Sequence, residues 1–468
     1  MPISRRKFMQ NMGLGLAAAG MAGGELACIP ESGESASEKL LVDNPAQPEP
    51  AALGYDRLPL SWYRTAAEKL RDRAAADGVD AVLLGSDPNL VYFTGCFRGS
   101  GERSTWALFP VGEKDSVYWY SPAIDRDLIT SWWCTENESY FCYPHAAGGF
   151  PNRGQASPGP RVDLWEWVLE GLKKRGFVVG VIGVDTELSP SRMKTFRRIL
   201  PRAEVMDISA ICLKMRMIKT PEEIALTQRA YRYFDKIHAF ARDYILERGT
   251  DATDFEIGQA LQTYGINLMM KDVRRDGRPH SAVGMDVTAR YVRTGVATAY
   301  PHPNQFFYNR VRKGDALYVN TDIRLGGYGG ECYRNYQIAP WTPEQEKMWR
   351  VVAECVQIQV EESRPGALCC DIAAKIHQNQ VSSGLAECIY HRPAHGAGQN
   401  FEGHQPPFIA LGDHTALEAG MMFSVEPGLY DAARGFGINP SDCLLVTESG
   451  SVLLSRVPYS TEWSFLTL

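Results

Sequence analysis

Five side chains in the C-terminal half could do chemistry, and most stand beside glycine or an apolar run. His395 opens His395-Gly396-Ala397-Gly398, where missing side chains let other groups approach an imidazole closely. Glu426 follows the run Ser424-Val425 and precedes Pro427-Gly428. A carboxylate buried in such a setting is costly unless it is paired or bound to something. Glu331 follows the turn-like stretch Gly326-Gly327-Tyr328-Gly329-Gly330, and His302 and His404 add two more imidazoles. Three imidazoles and two carboxylates suit metal ligation or general acid–base work, and the residues alone leave both open.

These groups need rigid elements to hold them. Thr220-Pro221-Glu222-Glu223 has a capping Thr, Pro at the first helical position and Glu where a capping box needs it. Thr342-Pro343-Glu344-Gln345 repeats that start signal ahead of a helix reaching about Glu362. Strand-like runs flank these helices at Ala316–Val319, Met421–Val425 and Cys443–Thr447. The pattern predicts an α+β domain over residues 216–468, with helices on one curved sheet.

Upstream, the pattern is α/β. Ser61 is placed to cap a helix running to Asp77, with Gly78 as its stop. Strands are expected at Ala81–Leu84, Leu90–Thr94, Ser116–Tyr120 and Phe177–Val184, within a domain spanning 57–215. Pro144 to Pro160 reads as a long loop.

Composition narrows the classes. The chain has 468 residues, 44% of them hydrophobic, and Lys+Arg 49 against Asp+Glu 55 gives a formal net charge of -6. Two domains are expected, and nucleic acid is excluded as a partner by the lack of a basic block. No run is long enough for a transmembrane segment. Ser4-Arg5-Arg6-Lys7-Phe8-Met9 resembles a twin-arginine export motif, so residues 1–28 are expected to be a signal peptide and the protein to reach the periplasm folded. Cys28 is a candidate lipid anchor, and residues 29–56 read as a disordered linker.

The series Lys313-Gly314-Asp315, His395-Gly396-x-Gly398, His404-x-Pro406, Gly420-Met421-x-Phe423-x-Val425-Glu426-Pro427-Gly428 and Leu445-Val446-Thr447-Glu448 resembles the pita-bread family. That family includes methionine aminopeptidase, aminopeptidase P, prolidase and creatinase. The resemblance implies an α/β N-terminal domain of creatinase/prolidase type followed by an α+β pita-bread catalytic domain, commonly as a homodimer. It also implies two metals on five ligands. Here Asn320 stands at the first Asp, Glu331 at the second, His395 and Glu426 match, and Ser441 replaces the last Glu. Two carboxylates balance at most one divalent ion, so a second metal is not expected.

The creatinase-like variant of the family, which uses no metal, implies catalytic His302, Glu331, His395, His404 and Glu426, with Arg103 from this or a partner subunit binding a substrate carboxylate. On that reading no cofactor is needed. A small amidino, amide or Xaa-Pro substrate, a small molecule or short peptide, would lose a C–N bond to a hydrolase by His/Glu acid–base catalysis. The alternative is a mononuclear peptidase or lyase holding Mn, Fe or Zn on Glu331, His395 and Glu426, with Asp322 a further candidate ligand. A third reading is a binding pseudoenzyme.

Overall fold

The structure is a computed structural model describing residues 34–50, 57–97, 102–140, 163–272, 286–289, 292–302, 308–399 and 404–468. The expected signal peptide, Cys28 and the Pro144–Pro160 loop lie outside the described residues. Ser35–Leu468 form one compact unit.

The N-terminal part is a six-stranded mixed sheet, with Ala81–Leu84 flanked by Trp106–Pro110 and Val179–Val184. Its first helix covers Leu60–Ala76, beginning one residue before the expected cap. Pro59 takes the cap position, and Ser61 makes no side-chain cap. The strand expected at Leu90–Thr94 is instead part of a helix, Asp87–Thr94. Pro88 sits in its first turn and Gly95, in the left-handed region, ends it. Asp185 accepts hydrogen bonds from the backbone N–H groups of Gly85 and Ser86 and from Asn89 Nδ2, anchoring the helix start from 96 or more residues away. A short apolar run does not declare its own period, and that distant carboxylate decides it.

Both capping boxes form. Helix α1 (Pro221–Arg248) is capped by Thr220 and Glu223, and α2 (Pro343–Glu362) by Thr342 and Gln345. Strands β1 (Ala316–Leu325) and β2 (Tyr328–Ile338) make an antiparallel hairpin through Gly326-Gly327. Both turn residues have positive φ, which a tight two-residue hairpin turn of this hand requires. A second sheet contains β3 (Ala394–Gly396), β4 (Gln405–Ile409), β5 (Met422–Val425) and β6 (Asp442–Val446). Among the described residues the catalytic half is thus built on two five-stranded sheets and a two-stranded one rather than the one sheet expected. Its helices still pack outside them: α1 covers β1 and β2, and α3 (Cys369–Ser382) lies between α2 and β4.

The sheets meet where Tyr333 and Ser441 exchange backbone hydrogen bonds of 3.0 and 3.2 Å. Beside them buried Arg334 donates to Ser441 O at 2.9 Å and Asp442 Oδ2 at 2.8 Å, while its guanidinium covers the Tyr459 ring. The linker expected over 29–56 is not a free tether over its described part. Ser37 Oγ bonds Asp243 at 2.6 Å, Val42 N bonds Arg456 O, and Gln47 Nε2 reaches Leu453 O and Ser455 O. A few polar anchors hold a segment whose composition lacks a core.

Candidate active site

Strand alternation brings the acids together. Asn320 and Asp322 lie two apart on β1, and Glu331 and Tyr333 two apart on β2, so each pair shares a face. Cross-strand pairing sets Asp322 against Glu331 and Asn320 against Tyr333. On the second sheet His395 pairs with Ser424, and Glu426 follows the end of β5. Gly396 permits this arrangement: a Cβ there would lie 2.6 Å from Gln405 O, so only glycine lets β4 close on β3.

At the meeting point, Glu331 Oε1 lies 2.6 Å from Ser424 Oγ and 3.2 Å from His395 Nε2. The Tyr333 hydroxyl donates to the other Glu331 oxygen. His395 Nε2 is 3.7 Å from Glu426 Oε1, and the three donor groups lie within 4.8 Å of one another. The His404 ring stacks on His395 with centroids 3.8 Å apart, and Arg392 approaches His404 Nδ1 at 3.2 Å. These groups line a cavity of about 610 Å³, as do His302, Asn320 and Asp322.

The proton affinities diverge. Burial works against an ionised Glu331, but hydrogen bonds from Glu426, His395 and Ser424 win and hold its carboxyl well below the usual range. Burial and the adjacent Glu331 charge push Glu426 up to about 8. Burial would lower His395, yet its hydrogen bonds to Glu331 and Glu426 raise it to about 10. Burial and the neighbouring His395 charge push His404 down to about 4. The four groups are thus driven apart, Glu331 and His404 lowered and Glu426 and His395 raised. Such divergence is what acid–base chemistry needs.

The structure therefore gathers His302, Glu331, His395, His404 and Glu426 into one cavity. Arg103 of the same chain does not join them; the expectation that a partner subunit supplies it concerns a second copy of the chain. Within this chain it lines a separate cavity of about 270 Å³ with Asp87, Trp106 and Asp185, and it pairs with Glu102 at 2.9 Å. Its position after a strand-like motif carried no information about which cavity it would face. Asp322 lines the main cavity and accepts a hydrogen bond from Thr288 Oγ1, but it stands outside the three-donor group. Sequence reasoning missed Arg293, His391, Arg392 and Ser424. Ser424 was findable, since β5 alternation puts it on the face of Glu426. The two arginines carried no signal, because arginine is ordinarily a surface residue.

Two family models match the chain: Creatinase/Prolidase N-terminal domain over residues 67–218 and Metallopeptidase family M24 over residues 225–448. The chain carries the catalytic domain of metallopeptidase family M24. It is a hydrolase of that family, behind a creatinase/prolidase N-terminal domain. It is 26% identical over 295 residues to "Putative dipeptidase YkvY" of Bacillus subtilis, covering 63% of this chain and 76% of that protein. It is 23% identical over 414 residues to "Creatinase" of Bacillus sp., covering 85% and 91%. The recombinant prolidase structure from Thermococcus sibiricus shares the fold, with a TM-score of 0.68 at 19% identity over 87% of this chain and 99% of that one.

The M24 resemblance implies metal, and the donor set here fits one ion. Glu331, His395 and Glu426 offer three ligand atoms in one cluster. A second ion does not fit. Asn320 and Ser441 are neutral, Ser441 Oγ is 2.9 Å from Ser424 Oγ, and Asp442 turns away to the Arg334 ion pair. Asp442 accepts from Arg334, Ser455 and the Cys443 N–H, so its charge is already matched.

Proposed function

We propose that this M24 hydrolase cleaves a C–N bond in a small amide, amidino or Xaa-Pro substrate, with its own side chains carrying the protons. The supporting observation is the Glu331–His395–Glu426 cluster, whose donor groups lie within 4.8 Å of one another and whose proton affinities are pushed apart, Glu331 lowered and Glu426 and His395 raised. Relatives named dipeptidase and creatinase support the same bond class.

On this reading His302, exposed at the cavity, takes a proton from the attacking water and returns it to the leaving nitrogen. Neutral His404 is the second acceptor along that path. Ionised Glu331 holds a cationic amino or amidino group through a charge-assisted hydrogen bond, and protonated Glu426 can donate to a developing negative charge. The His395 imidazolium stabilises that charge electrostatically. His302→Ala is expected to lower kcat roughly hundredfold or more. Its thermal midpoint should not move, because the side chain is exposed. A dipeptide, amide and guanidino substrate panel checks this, and full turnover by the variant would end the assignment.

The tight donor cluster also favours a second reading, in which Glu331, His395 and Glu426 hold one divalent ion. That ion would supply Lewis-acid polarisation of the scissile group. The readings part in chelator: turnover persists on the first and is lost on the second.

A further inference from the structure

We propose that Arg293 forms an anion subsite in the catalytic cavity and reads a carboxylate on the substrate; the substrate itself rests on the hydrolase reading above. Arg293 lies on the short strand Arg293–Thr294, paired with β1 opposite Tyr318. Its guanidinium carbon sits 4.2 Å from the centre of the Tyr318 ring. The residue is only 2% exposed, lines the cavity, and its Nε has no hydrogen-bond partner.

Arg334 shows what a buried guanidinium in this fold looks like when its partners belong to the chain. It donates to Asp442 and to the carbonyls of Tyr333, Ser441 and Val457. Among the described residues, Arg293 has no carboxylate partner of this kind. A buried cation without a counter-ion is destabilising, so a site that keeps one is arranged for an anion from outside.

The same side of the cavity also carries two unmet acceptors. Asn320 lies two residues from Tyr318 on β1, and its Oδ1 is buried without any partner. Asn439 Oδ1, also at the cavity, is likewise buried and unpartnered. Asn320 stands where the family resemblance expects a metal-binding acid. The two amide oxygens are acceptors and suit a substrate N–H donor, so on this side of the cavity it is the Arg293 guanidinium that suits an anion. A carboxylate matches the planar fork of arginine with two parallel hydrogen bonds. A single negative charge suits a cavity that already holds Glu331 and Glu426, so the expected substrate is zwitterionic, with its cationic end toward those acids.

The test uses the full chain in the His302→Ala background, which keeps turnover slow during titration. Calorimetry compares glycyl-proline with glycyl-prolinamide, and guanidinoacetate with its amide. With Arg293 present, at least one carboxylate is expected to bind about tenfold or more tightly than its amide. Arg293→Met should erase that preference by weakening the carboxylate alone. Arg293→Lys keeps the charge but loses the fork, so it should retain only part of the preference; it carries the test if the Met variant does not fold. An unchanged preference in either variant overturns the proposal, as does the absence of any carboxylate preference, or of carboxylate binding, with Arg293 in place. Absence of turnover of these substrates by the parent chain, with His302 in place and the preference intact, would strike the hydrolase reading and leave the subsite standing.

Discussion

Asp442 adjoins a lost ligand position, and its side chain shows why proximity in sequence is not enough. Ser441 turns its hydroxyl to Ser424 Oγ, which lines the cavity, but Asp442, the first residue of β6, points elsewhere, to where Arg334, Ser455 and the Cys443 N–H absorb its charge. It fastens the second sheet to β2 instead of binding a ligand. Asp442→Asn leaves Arg334 buried without a counter-charge, so it is expected to cost about 3–5 kcal/mol. Urea unfolding reads that loss, while substrate affinity in the folded fraction should be unchanged. A variant as stable as the parent would mean that the pair does not clamp the sheets. At this scale Glu331, His395 and Glu426 were legible because glycine and apolar context framed them. Arg293 was not legible, since burial without a partner is a property of space.

Elements behind the cavity carry their own titration. His238 on α1 is fully buried, and its Nε2 reaches Thr321 Oγ1 at 3.0 Å and Cys332 O at 2.9 Å. Burial and the Arg334 charge push this imidazole down to about 3. Its unfolded counterpart titrates near 6.5. Between those values the unfolded chain binds the extra proton, so this residue's contribution falls as pH drops from about 6.5 toward about 3. Denaturation across that window should show a shallower pH slope in His238→Gln than in the parent; identical slopes would remove His238 from the account. The helices opened by Thr220 and Thr342 were readable because a capping box is local chemistry. The Asp87–Thr94 helix was not, because the carboxylate that anchors its start comes from Asp185. Division into two sheets was hidden as well, since the seam is a backbone contact between Tyr333 and Ser441.

Over the whole molecule, residues 34–50 tie the start of the described chain to the catalytic half. Arg242 donates to Ser37 Oγ, Arg232 donates to Gln47, and Arg456 pairs with Asp43 at 2.6 Å. Composition suggested a tether because such anchors bury few apolar groups. Starting the chain at residue 51 should lower the thermal midpoint and leave KM unchanged, since these contacts lie on α1 and the 453–456 stretch; an unaltered midpoint would make the strap incidental. No described helix is long and apolar enough to cross a membrane. Two neutral replacements, one diverted acid and one buried arginine together describe a cavity that has exchanged a second cation site for an anion site. Counting metal ions per chain by elemental analysis, after purification with Mn, Fe and Zn supplied, tests that exchange most directly. The account predicts no more than one ion per chain, lost together in Glu331→Gln and His395→Ala if it is bound at all. Two ions per chain would contradict it.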